Sequence, residues 1–288
     1  MSNVLITGAS GFLGEYIIEE LKEETDANVL CIDIRGPTKC DFTDYNQLLP
    51  LTKDFKIDQI IHLGAIAAPR QCDQNPDLAF KANVLGTYNM LKLAKLAKVK
   101  KFVFASSAHV YNISPRFFPT PENHPLYPMD TYTSTKIIGE QMCKLFWDSY
   151  SLPYTCIRLY NSYGPRQSSD YFIPAMIEKA KKGDFTVKGE GITKDFVYVT
   201  DVARAYVKAT FSDYVGEVNI GTGVQTRLGK VAFRIFEAFG AKGVEILPSD
   251  DSSPTNMQAD ITRAEKVLNW KPQINLAEGL DKTIASYR

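Results

Sequence analysis

Short apolar runs separated by longer amphipathic stretches set the plan of this chain. Val4-Leu5-Ile6, Val29-Leu30-Cys31-Ile32, Gln59-Ile60-Ile61-His62-Leu63 and Phe102-Val103-Phe104-Ala105 each read as strands buried on both faces. Between them, residues from about Glu15 to Glu24 carry helical periodicity, and a long helix is predicted from about Pro76 to Val99. Strands alternating with helices predict an α/β fold, a parallel sheet with helices on both faces. Asn161-Ser162-Tyr163-Gly164-Pro165 and Asn219-Ile220-Gly221-Thr222-Gly223 read as turns. No internal repeat or low-complexity tract interrupts the pattern.

Composition narrows the functions this fold can carry. The 288 residues allow one large α/β unit or two coupled domains. Thirty-three basic residues balance thirty-three acidic ones, so no broad nucleic-acid or membrane surface is expected. No apolar run approaches the ~18 residues of a membrane span, and the N-terminus enters strand-like Asn3-Val4-Leu5-Ile6 without a leader. Cys31, Cys40, Cys72, Cys143 and Cys156 are scattered and contain no CxxC. They read as reduced thiols of a cytoplasmic protein, with no metal site expected.

The first strand runs into Thr7-Gly8-Ala9-Ser10-Gly11-Phe12-Leu13-Gly14 and then into a helix. Strand, glycine turn and helix in that order bring backbone amides to a pyrophosphate at a helix N-terminus. Gly8, Ser10, Gly11, Phe12, Leu13 and Gly14 are therefore candidate cofactor contacts. Asp33 ends the second strand about twenty residues later, where a carboxylate bonds a ribose diol and repels a 2′-phosphate. That favours NAD over NADP, although Arg35 nearby is suited to pair with such a phosphate, and an ordinary strand-end carboxylate is the bland alternative. Asp41 and Phe42 lie where an adenine would stack, or where a turn would simply form. Leu63, Gly64 and Ala65 are small enough for close approach of a cofactor. His62 reads as structural, and Asn83 reads as either a backbone partner or a link from its helix to the cofactor strand.

Tyr132 and Lys136 stand four apart and share a helix face. A cation near a phenol favours the phenolate, making the pair a proton shuttle for oxidising an alcohol. Decoration of an exposed helix is the alternative reading of the pair alone. Ser106-Ser107-Ala108-His109-Val110-Tyr111 leaves the C-terminal end of the fourth strand, the end at which open parallel sheets bind ligands. Ser107 would bond the reacting oxygen, and Lys136 would also hold a ribose while hydride passes to or from a cofactor ring.

TGASGFLG, HLGA, NVLGT, SSAHVY, YTSTK, RLYNSYGP, KDFVYVTDVARA and NIGTG, in this order, resemble the extended short-chain dehydrogenase/reductase family, in its nucleotide-sugar epimerase and dehydratase branch. The resemblance spans nearly the whole chain, and LNWKPQINLAEGL is similar to the closing helix region. It implies a Rossmann-type doubly wound parallel sheet with a smaller C-terminal α/β substrate region. The NAD-binding part would cover 1–163, rejoined by about 195–221, and the substrate region 164–194 and 222–288. The resemblance also implies Tyr160 beside the cofactor and a homodimer through the helix near 76–98 and the helix carrying Tyr132. Leu91, Leu93, Leu96, Met142, Leu145, Phe146 and Trp147 would serve that interface or pack the fold.

Departures from the family pattern bear on the substrate. Where dehydratases carry Asp-Glu, this chain has Ala108 and His109, which disfavours a 4,6-dehydratase and fits a 4-epimerase at Ala108. A neutral imidazole at His109 suits proton transfer at a sugar carbon, or it simply faces solvent or a backbone carbonyl. The usual Arg before Asp-Phe is Lys194, a second Arg is replaced by Ser253, and an Asn gives way to Tyr171 or Phe172. Asn161, Arg166 and Arg227 are further candidates to grip a nucleotide sugar. The leading expectation is an NAD-dependent nucleotide-sugar 4-epimerase working through a 4-keto sugar. A 3,5-epimerase, 4-keto reductase or dehydratase using His109 is the alternative, and a non-catalytic NAD-binding regulator the alternative of another class.

Overall fold

The computed structural model describes residues 1–35, 38–112, 115–249 and 255–288. Its strands are β1 (Asn3–Thr7), β2 (Asn28–Ile32), β3 (Gln59–His62), β4 (Lys101–Ser107), β5 (Tyr154–Leu159), β6 (Asn161–Tyr163), β7 (Thr186–Lys188), β8 (Thr193–Tyr198), β9 (Gly216–Ile220), β10 (Gln225–Arg227) and β11 (Glu245–Leu247). The main sheet has the order β2-β1-β3-β4-β5-β9, and every pairing in it is parallel. Chain order reverses between β1 and β3, which opens a crevice at the C-terminal strand ends. This is the doubly wound α/β sheet expected from the alternating pattern.

Burial explains why the strand runs are continuous rather than alternating. Val4, Leu5, Ile6, Ile60, Ile61 and Val103 are all fully inaccessible, because helices cover both sheet faces. Helices Phe12–Glu24 and Val199–Phe211 pack together on one face, and Gly86–Ala97 and Thr131–Tyr150 on the other. Each such aliphatic side chain contributes about 1.5–3 kcal/mol on burial.

The long helix expected from Pro76 to Val99 runs without a gap from Pro76 to Ala97, but it is not uniformly α-helical. A helical turn at Pro76–Ala79 leads into a π-helical segment, Phe80–Leu85, and only then into Gly86–Ala97. The widened turn places Asn83 where its side chain can leave the helix, as π-bulges often do at working positions.

Two smaller sheets, β10-β8-β6 and β11-β7, lie beyond the main one. The chain leaves β5 directly into β6 and returns to β5 through β9. Buried Asp195 on β8 ties this region together. Its Oδ1 accepts from Thr222 N at 2.7 Å and Thr222 Oγ1 at 2.6 Å, and its Oδ2 accepts from Gly223 N at 2.9 Å and Ala259 N at 3.0 Å. Among the described residues no helix is long and apolar enough to cross a membrane, and no cluster of three His, Cys, Asp or Glu side chains could hold a metal.

Candidate functional site

A cavity of about 630 Å³ opens at the strand ends, from the glycine turn at one side to the Tyr132 helix at the other. At the turn, Gly8 has φ +69°, and a Cβ there would stand 2.8 Å from Gly64 N. A Cβ at Gly14 would stand 2.6 Å from the carbonyl oxygens of both Gly8 and Ala9, so any side chain would push the helix off the turn. The helix begins at Phe12 with no side-chain cap, leaving the first-turn amides of Phe12 and Leu13 to a ligand in the cavity they line. These amides suit a phosphate.

Asp33 reaches the same cavity from the end of β2, its carboxylate held by Ser10 N at 3.1 Å and Arg35 N at 3.0 Å. Ser10 therefore positions Asp33 and does not itself line the cavity. Asp41 accepts from Thr43 N and Oγ1, forming a turn, while Phe42 packs its ring between Gly64 and Gly86 and lines the cavity. An uncapped helix start, a strand-end carboxylate and a flat apolar wall together fit a dinucleotide.

His62 is locked beneath this wall. The Thr87 hydroxyl spends its proton on Asn83 O at 2.6 Å, so it can only accept from His62 Nε2, 3.1 Å away. The network thus assigns the Nε2–H tautomer, with Thr7 Oγ1 donating to Nδ1 at 2.7 Å while accepting Gly64 N–H. Burial lowers the imidazole pKa to about 3, with the Lys136 charge acting in the same sense.

At the other side stand Ser107, Tyr132 and Lys136, all lining the cavity. Asp130 caps the Tyr132 helix by accepting Thr133 N at 2.7 Å, which fixes its first turn and the direction of the phenol. Ser107 ends β4 and accepts His109 N at 3.2 Å, which leaves its own O–H to donate. Lys136 Nζ donates to Ala105 O at 2.8 Å and lies 5.7 Å from the centre of the Tyr132 ring. Burial works against the phenolate that the ammonium favours. Burial pushes the Tyr132 phenol above its usual range, and the Ser107 hydroxyl opposes it only in part. Burial also lowers Lys136 to about 8.

His109 follows on a short 3₁₀ turn, half-buried in the cavity wall, its ring centre 6.4 Å from that of Tyr132 at 85°. Burial lowers its pKa to about 4, assisted by the Lys194 charge and opposed by Asp130. The imidazole is neutral at ordinary pH. Beneath this wall runs a buried polar network. Ser106 Oγ donates to Glu140 Oε1 at 2.5 Å, Arg158 binds Glu140 through Nε and Nη2, and Arg158 Nη1 reaches Tyr111 Oη at 2.9 Å. Tyr111 in turn donates to Asn219 Oδ1 at 2.7 Å. Strand ends β4, β5 and β9 are thereby fixed to the Tyr132 helix.

Leu63, Gly64, Ala65, Tyr160, Asn161, Tyr171 and Phe172 also line the cavity, whereas several other predicted residues do not. Asn83 bridges Ile66 N, Ile66 O and Thr135 Oγ1 at 2.8–3.0 Å, so it acts on the cavity only through Ile66. Ala108 is buried behind the wall. Lys194 contacts Met257 Sδ at 3.5 Å, and Arg227 is exposed on β10 where the helix Leu228–Glu237 begins. Arg166 is held outside by Glu15 and Glu19 and stacks on Tyr16. Ser253 lies outside the described residues. The sequence reading missed Thr43, Lys81, Gln167 and Tyr206 on the cavity wall. Tyr206 carried no signal, since a tyrosine in an apolar helix stripe reads as core.

Comparison with known proteins extends over nearly the whole chain. The model of the NAD dependent epimerase/dehydratase family matches residues 4–221. The UDP-glucose 4-epimerase of Mycolicibacterium smegmatis is 32% identical over 307 residues, covering 99% of this chain and 98% of the relative. The crystal structure of a UDP-glucose 4-epimerase from Thermotoga maritima with UDP-glucose superimposes with a TM-score of 0.92 at 27% identity, covering 99% of this chain and 98% of the other. A Thermus thermophilus UDP-glucose 4-epimerase in complex with NAD gives 0.90 at 28% identity and 99% coverage of both. A match over most of the chain, with the glycine turn and strand-end carboxylate in place, makes this protein a member of the NAD dependent epimerase/dehydratase family.

Proposed function

We propose that the chain is an NAD-dependent nucleotide-sugar 4-epimerase, an isomerase with no net redox change. The observation that carries this reading is the convergence of Ser107, Tyr132 and Lys136 on one wall of a cavity whose other end suits a dinucleotide. Bound NAD supplies a hydride acceptor that later returns the hydride. Tyr132 would take the proton of the C4 hydroxyl as its phenolate, the form Lys136 favours against burial, and Ser107 would donate to the same oxygen as the carbonyl forms. Lys136 keeps a positive charge beneath them and, with Tyr132 and Tyr160, bounds the cofactor end of the wall. Asp33 meets the adenosine ribose, favouring NAD. Gly8, Gly11, Phe12, Leu13 and Gly14 receive the pyrophosphate, while Asn161, Tyr171 and Phe172 flank the sugar nucleotide. Incubation with a panel of nucleotide hexoses, followed by NMR, tests the reading. Failure of every one to give its C4 epimer sinks it.

The position of His109 favours a second reading. A neutral imidazole beside Tyr132 can take a proton from the carbon next to a 4-keto group. Solvent deuterium at C3 or C5 of the product would establish that chemistry, because simple C4 inversion incorporates none. A Tyr132→Phe variant should lose about 10²–10⁴-fold in rate with its folding intact. Undiminished biological activity in that variant would favour the non-catalytic regulator instead.

We also propose a homodimer. Leu96, Leu145 and Trp147 are exposed on the helices expected to pair, whereas Leu91, Leu93 and Phe146 belong to the core. Sedimentation of wild type and Leu145→Glu checks it, and a wild-type monomer would refute it.

A further inference from the structure

The Tyr206 hydroxyl is fully buried, and no group among the described residues hydrogen-bonds it. Among the described residues the other buried side-chain atom in that condition, Gln59 Oε1, sits at the start of β3, away from the cavity. Tyr206 instead lies on the Val199–Phe211 helix, which packs over β3 and β4, and lines the cavity shared by the glycine turn and Tyr132. The hydrophobic cluster it belongs to includes Ile61, Val103 and Ile157, whose side chains offer a phenol no acceptor. Packing alone asks for phenylalanine here, because an unpaired O–H in an apolar setting is costly. The tyrosine makes sense if its partner arrives with a ligand.

We propose that Tyr206 is a dinucleotide-binding residue, its hydroxyl donating to an oxygen of the bound cofactor. It would act from the sheet face opposite the one that supplies Tyr132 and Lys136, so the cofactor would be held between two helices. This rests on the NAD-binding part of the proposed function and not on epimerisation. A wild-type chain that binds NAD yet yields no C4 epimer removes the epimerase reading and leaves this one in place.

Tyr206→Phe tests the proposal, since the ring and its packing are kept and only the hydroxyl is lost. Calorimetric titration of cofactor-depleted protein with NAD should show a Kd weakened about tenfold. The melting temperature without NAD should be unchanged or higher, because an unpaired buried hydroxyl has been removed. A Kd changed less than threefold overturns the proposal. So does a fall in the cofactor-free melting temperature, which would show that the hydroxyl already has a partner in the fold. A wild-type chain that binds no NAD overturns both this and the cofactor reading.

Discussion

Arg158 grips both carboxylate oxygens of Glu140, with Nε 2.9 Å from Oε1 and Nη2 2.6 Å from Oε2, under the strand end that carries Ser107. The two side chains are 4% and 2% exposed, so neither charge has water to fall back on. Arg158→Met should cost about 3–5 kcal/mol in urea unfolding, because it strands a buried carboxylate. The double variant with Glu140→Leu should recover most of that loss. A single variant within 1 kcal/mol of wild type would contradict this account.

Lys136 is the opposite case, a charge that the fold tolerates for its chemistry. Its pKa is lowered from 10.5 to about 8, so the unfolded chain binds the extra proton between those values. Stability therefore rises with pH from about 8 to 10.5, and the desolvated ammonium weakens the fold below that window. Lys136→Met should raise the unfolding free energy at pH 7 by about 1–3 kcal/mol while abolishing turnover. A less stable variant would mean that the bond to Ala105 O outweighs desolvation.

His62 makes the fold sensitive to acid. The folded imidazole titrates at about 3 against 6.5 for an ordinary one, so stability is complete above pH 6.5 and is lost as pH falls toward 3. The full displacement corresponds to about 5 kcal/mol. His109, at about 4, adds to the loss over a narrower window. NMR should show no His62 ring titration down to pH 4.5. A midpoint near 6.5 would mean that the Thr7 and Thr87 bonds do not hold the neutral ring.

Asp33 should govern the choice of cofactor. Asp33→Asn removes the charge that repels a 2′-phosphate while leaving Arg35 beside it. The ratio of Kd values for NADP and NAD should fall about tenfold or more. An unchanged ratio would show that discrimination lies elsewhere.

The parallel sheet was legible because strands covered on both faces read as unbroken apolar runs, and the glycine turn because its residues serve one backbone shape. Tyr132 and Lys136 were legible from helical spacing once the glycine turn and Ser107 stood beside them. Their protonation was not, since burial outweighs the nearby charge and burial belongs to the tertiary structure. The π-helical widening at Phe80–Leu85 was not legible, because the residues on either side keep the helical pattern running through it. Lys194 and Arg227 were expected at the cavity by analogy of position, but Lys194 reaches Met257 and Arg227 is exposed on β10. Tyr206 was invisible because an unpaired hydroxyl is defined by what surrounds it.

Asp195 receives hydrogen bonds from residues 222, 223 and 259 on a single side chain, using both oxygens. The point where the chain leaves the main sheet after β9 and the approach to the last two helices are thus welded at one carboxylate. Two stretches of chain far apart in sequence therefore share one anchor, so loss of this single carboxylate would release both together.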